Sequence, residues 1–140
     1  MINDSVLVIV DMLHDFIDGS LACANADNAV DNTLQFIQKT RDEDLPLLFI
    51  RDHHPANHSS FREFGGTWPV HCVAGTRGGE IDEKLQPYVD EDLTFDKGCD
   101  PAVEQYSGFD GVNAAGQSLG EVISMLEPEN VFVCGIATEF

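Results

Sequence analysis

The segment "SVLVIV", residues 5–10, is an unbroken run of mostly β-branched apolar side chains. A strand that meets water on one face alternates apolar with polar residues. One that does not alternate has both faces covered, as in a parallel sheet held between helices. "PLLFIR" at 46–51 and "NVFVCG" at 130–135 read the same way, and "DLTF" at 92–95 reads as a weaker strand between them. Val30, Leu34 and Ile37 recur at helical spacing, with Asp27 and Asn28 as candidate caps. Leu119, Val122, Ile123 and Leu126 follow the i, i+3, i+4, i+7 pattern of an amphipathic helix that Pro128 prevents from continuing. "EIDEKLQPYV", residues 80–89, predicts a further short helix limited by Pro87. This alternation predicts a three-layer α/β fold: a mostly parallel sheet with helices on both faces and right-handed crossovers. At 140 residues the chain is one domain, 1–140, with a single sizeable core.

Charge and cysteine usage narrow the function classes. The 25 acidic residues against 7 basic ones give a formal charge of -18, which disfavours nucleic acid and anionic membrane surfaces as partners. Cys23, Cys72, Cys99 and Cys134 lie far apart without a C-x-x-C pair, so neither a zinc knuckle nor a disulfide framework is indicated. The first residues lack a basic leader region, and Asp11 interrupts the apolar run too early for a membrane span. A cytoplasmic protein is expected.

In open parallel sheets, ligands bind beyond the carboxyl ends of the strands. Polar features follow all the strand candidates there: Asp11, then Asp52 with His54, then Lys97, then the turn at Gly135. His54 precedes Pro55, which biases it toward an extended backbone; with His53 also extended, Asp52 and His54 point to one side. With His71 from "WPVHC" they form a carboxylate and two imidazoles, a set suited to Zn²⁺, Fe²⁺ or Mn²⁺. His58 is a weaker fourth candidate. The competing reading is a His-rich loop whose rings cap turns, which suits His53 and His14 better. Asp11 and Lys97 offer a carboxylate base beside an ammonium, or alternatively a structural ion pair. Phe16 and Trp68 offer flat aromatic faces for a substrate, or else belong to the core. The residues "GIATEF" let the backbone bend and present N–H groups at the sheet edge, as an oxyanion hole requires, or form a plain turn. No G-x-G-x-x-G phosphate signature is present.

Taken in order, "VIVDMLHDF", "RDHHPANHSSF", "GGTWPVHCVAGT", "FDKGCDP", "YSGFDG" and "VFVCGIATEF" resemble the nicotinamidases of the isochorismatase-like cysteine hydrolase superfamily, over essentially the whole chain. The resemblance implies a catalytic Asp11 and Lys97, metal ligands Asp52, His54 and His71, and pocket aromatics Phe16 and Trp68. It implies one divalent transition metal, zinc first, with iron or manganese as alternatives. It also implies hydrolysis of nicotinamide, or of pyrazinamide, through a cysteine thioester in NAD salvage. The backbone N–H of Ala137 would help hold the oxyanion, after a cis peptide from Ile136. In the family the nucleophilic cysteine directly follows the turn resembling "GIATEF", so a longer chain is expected, supplying that cysteine and the C-terminal part of the fold. Leu13 and His14 stand where the family more often has Gln and Asn, a departure within the pocket region. A homo-oligomer is compatible with this picture. The rival readings are another isochorismatase-like hydrolase, of an isochorismate or carbamoyl substrate, or an inactive metal-binding interaction module.

Overall fold

The computed structural model describes residues 4–137. Four strands, β1 (Ser5–Val10), β2 (Leu47–Asp52), β3 (Thr94–Lys97) and β4 (Asn130–Gly135), form one all-parallel sheet in the order β3-β2-β1-β4. The helices are a single turn α1 (His14–Ile17), the long α2 (Ala26–Thr40) and α3 (Leu119–Leu126).

The lack of alternation in β1 is explained by its neighbours. Leu7, Ile9 and Phe49 turn to one face and pack with Val30 and Ile37 of α2. Val6, Val8, Leu48, Ile50 and Phe95 turn to the other and pack with Leu119 and Val122 of α3. Each such side chain, fully buried, contributes about 1.5–3 kcal/mol relative to exposure. The predicted three layers are therefore present, with helices on both faces of the sheet. Val131 and Val133 of β4 share the α3 face of the sheet yet remain exposed.

Local details depart from the sequence reading in three places. α2 starts from Asn25 in a left-handed conformation without a side-chain cap; Asp27 instead lies in its first turn, where a carboxylate complements the helix dipole. The helix expected over 80–89 is replaced by turns, with one 3-10 turn at Gln86–Tyr88. Asp82 accepts the Lys84 N–H at 2.9 Å and Pro87 has no N–H to give, so local bonds displace the helical ladder. β3 begins two residues later than expected, because Glu91–Leu93 form a 3-10 turn capped by Asp90. α3 is as predicted, and Ser118 with Glu121 closes a capping box at its start.

The long segment between β2 and β3 folds back over the carboxyl ends of the strands. His54 bridges to Val73 and Phe61 to Trp68, which brings residues 53–74 over one corner of the sheet. Among the described residues, no helix is long and apolar enough to cross a membrane.

Candidate active site

Because β3, β2 and β1 are consecutive neighbours, their carboxyl ends sit side by side, and Asp52 pairs in register with Lys97. The Lys97 Nζ lies 3.2 Å from Asp11 Oδ2 and 2.5 Å from Asp52 Oδ1, and all three side chains are almost wholly buried. Asp11 adopts φ 57°, a left-handed conformation that aspartate tolerates better than most residues, and its N–H donates to the Ile50 carbonyl at 2.9 Å. The environments separate the two acids. Burial pushes the Asp11 carboxyl up to about 6, opposed by Lys97 and reinforced by the charge of Asp52. Burial works on Asp52 too, but neighbouring His54 and Lys97 outweigh it and hold that carboxyl at about 2. Lys97 is disfavoured by burial yet held above its ordinary value by the two acids.

The second oxygen of Asp52 faces the histidines. His54 Nε2 lies 3.5 Å from Asp52 Oδ2, and His71 Nε2 lies 3.7 Å from it. The other ring nitrogens fix the tautomers. His54 Nδ1 is 2.8 Å from the Gly98 carbonyl and His71 Nδ1 is 2.8 Å from the Pro69 carbonyl. A carbonyl only accepts, so each Nδ1 carries a proton and each Nε2 turns a lone pair toward the carboxylate. Such converging lone pairs repel unless positive charge lies among them. His54 Nε2 is buried without a hydrogen-bond partner, and although burial disfavours its imidazolium, Asp52 raises its pKa. Burial lowers that of His71. The three donor atoms lie within 4.8 Å of one another, and imidazoles that donate Nδ1–H to a carbonyl have the orientation of metal ligands. The residues present therefore fit a divalent transition metal.

Asp11, Lys97, Asp52, His71, Phe16, Trp68 and Ala137 line one pocket; His54 does not line it, being wholly buried with its Nε2 3.5 Å from Asp52 Oδ2. Seven of the residues singled out in the sequence thus share one pocket, and His54 adjoins them through Asp52. His58 stands outside the Asp52, His54 and His71 donor group, with both its ring nitrogens engaged, by Ser60 Oγ at 2.7 Å and the Val103 carbonyl at 2.9 Å. It stacks on His54 at 4.2 Å and backs that ring. His14 pairs with Glu83 at 2.9 Å, in keeping with a structural role. At the far edge, Ala137 has φ 73°. No peptide among the described residues is cis, so the one from Ile136 to Ala137 is trans, which spares the about 3 kcal/mol of a cis non-prolyl bond.

The structure adds residues that the sequence reading left unassigned. Leu21, Glu104, Gln105 and Tyr106 also line the pocket. Phe61 is wholly buried and meets the rings of His54 and His71 edge-on at 5.7 and 5.3 Å. Tyr106 stands in "YSGFDG", and Phe61 in "HSSF"; an aromatic beside a His-rich loop was the signal available. None of the described cysteines is placed to attack a bound substrate. Cys72, which feels the charges of both acids, is wholly buried, and burial drives its thiol far above the ordinary range.

The model of the isochorismatase domain matches residues 5–140. A nicotinamidase of Escherichia coli is 29% identical over 151 residues, covering 96% of this chain and 70% of the relative. A nicotinamidase/pyrazinamidase of Mycobacterium tuberculosis is 29% identical, covering 95% of this chain and 72% of its own length. The crystal structure of the Pyrococcus horikoshii pyrazinamidase in complex with zinc superposes with a TM-score of 0.82 at 36% identity, over 97% of this chain and 72% of that one. With the family model spanning nearly the whole sequence, and nicotinamidases and pyrazinamidases among its relatives in both sequence and structure, the chain belongs to the isochorismatase family.

Proposed function

We propose that the protein is an amidohydrolase that converts nicotinamide to nicotinate and ammonia. The observation that carries this reading is the juxtaposition in one pocket of Asp11 and Lys97 with the Asp52, His54 and His71 donor set, between Phe16 and Trp68. The first pair suits acid–base chemistry, and the second suits a divalent metal that would accept a ring nitrogen. A flat pyridine carboxamide presents both groups at once. The kinship supports the same choice, since the relatives include a structure in complex with nicotinate, from L. infantum, at 32% identity over 95% of this chain.

The attacking thiol in this reading is the family's nucleophilic cysteine, which none of Cys23, Cys72, Cys99 and Cys134 supplies. Asp11, ionised above about 6, takes the thiol proton as sulfur bonds to the carboxamide carbon. Lys97, held between Asp11 and Asp52, keeps the base ionised and steadies negative charge nearby. The oxyanion is met by backbone N–H groups, that of Ala137 among them. When the C–N bond breaks, Asp11 returns its proton to the departing ammonia, and water then releases nicotinate from the thioester. Asp52, His54 and His71 would hold a divalent metal, zinc first, which would supply Lewis acidity toward the ring nitrogen. Phe16 and Trp68 fix the ring plane. We place the activity in the cytoplasm, feeding NAD salvage.

The test is ammonia release by the full-length protein from nicotinamide, with pyrazinamide and an N-carbamoyl amide as comparisons. Asp11→Ala should reduce the rate by roughly 10²–10⁴-fold, the usual weight of a positioned acid–base group. Unimpaired turnover in a folded Asp11→Ala protein would overturn the assignment.

A further inference from the structure

Cys72 follows the ligand His71 and holds φ 51°, a left-handed conformation unfavourable for a side chain with a Cβ, in a wholly buried position. Such a residue stays there only when its surroundings hold it. Its N–H donates to Asp15 Oδ2 at 2.7 Å. Its carbonyl accepts the His54 N–H at 3.0 Å, and two residues on, the Ala74 N–H donates to the His54 carbonyl at 2.9 Å. One side of the Cys72 backbone is thus gripped by Asp15, and the other is laced to the second histidine of the donor set.

The Asp15 carboxylate is itself tightly seated. A Cβ on Gly19 would stand 2.2 Å from Oδ1, and one on Gly78 would stand 2.1 Å from Oδ2. Both glycines leave room for the carboxylate and allow it little freedom. Asp15 belongs to α1, the same turn that places Phe16 in the pocket. Asp15 neither lines that pocket nor belongs to the donor set around Asp52.

We infer that Asp15 is a positioning residue for the metal centre: by holding the Cys72 N–H it keeps the strained peptide between His71 and His54 in place, and so aims both imidazoles at Asp52. This rests on reading Asp52, His54 and His71 as a metal site. Without the carboxylate, Cys72 relaxes toward negative φ, which turns the His71 side chain away and draws the Cys72 carbonyl off the His54 backbone. A charge-assisted bond to a backbone N–H is a strong restraint, and partners of this outer kind typically change metal affinity by about 10–100-fold.

The experiment titrates Co²⁺ into metal-stripped full-length protein, following affinity by calorimetry, ligand geometry by the visible d–d spectrum, and folding by circular dichroism. Asp15→Ala should bind about 10–100-fold more weakly with an altered spectrum while remaining folded. Asp15→Asn keeps an acceptor oxygen but no charge, and should fall between wild type and Asp15→Ala. Asp15→Glu keeps the charge but cannot place it between Gly19 and Gly78, and should lose affinity like Asp15→Ala; it also stands in for that variant should the alanine protein not fold. Equal loss in Asp15→Asn and Asp15→Ala, or wild-type binding in both Asp15→Ala and Asp15→Glu, would overturn the inference. A wild type that binds Co²⁺ no better than His71→Ala would instead sink the metal reading on which it rests.

Discussion

Asp11 and Asp52 are the same residue type, a few ångströms apart around one ammonium, and their surroundings drive them in opposite directions. For Asp11 the folded value of about 6 lies above the unfolded one, so its ionised form is disfavoured in the fold. Activity that needs ionised Asp11 therefore falls as pH drops, with an acid limb no higher than about 6, since a cation on Asp52 would cancel the charge that raises it. The pH–rate profile of the metal-loaded enzyme measures this limb. The same sign predicts a separation of roles: Asp11→Asn at neutral pH should abolish turnover while leaving the thermal midpoint unchanged or higher, because a disfavoured buried charge is removed. A clear fall in midpoint would contradict it. Asp11, Asp52, His54 and Lys97 were legible in the sequence because each stands at a strand end or within two residues of one, whereas His71, in mid-loop, was marked only by the motif "WPVHC". Phe61 and Tyr106 were not. Their place depends on how a long loop closes over the sheet, which no periodicity records.

At the scale of elements, the strands could be read from the absence of alternation and α3 from its apolar stripe. The failure at 80–89 has the opposite cause, since an Asp side chain and a proline satisfied or removed the N–H groups that a helix needs. The junction after β3 shows how an element end serves the site. Gly98 has φ 67°, its carbonyl accepts the His54 Nδ1–H, and a Cβ there would stand 2.4 Å from His54 Cε1. Gly98→Ala thus meets both a steric clash and an unfavourable backbone. It should lower stability by about 1–3 kcal/mol in denaturant titration. It should also weaken metal binding through displacement of His54, measurable by elemental analysis after dialysis. An unaltered metal content would show that the ring tolerates the displacement.

For the whole molecule, all the strand ends deliver to one edge, and the loop from β2 to β3 encloses that edge with side chains whose lone pairs converge. Such a centre is more stable with its cation than without. Metal-loaded protein should unfold at a higher temperature than chelator-treated protein, by about 2.7 kcal/mol at a free metal concentration of 100 times Kd. His71→Ala should be insensitive to chelator; equal chelator sensitivity in that variant would move the metal elsewhere.

The single carboxylate of Asp52 gives one oxygen to the lysine and turns the other toward both imidazoles. It is therefore a shared joint between two pieces of chemistry that are usually described apart. No substitution at that position can inform on one without disturbing the other, and the ammonium will register whatever cation arrives on the far side.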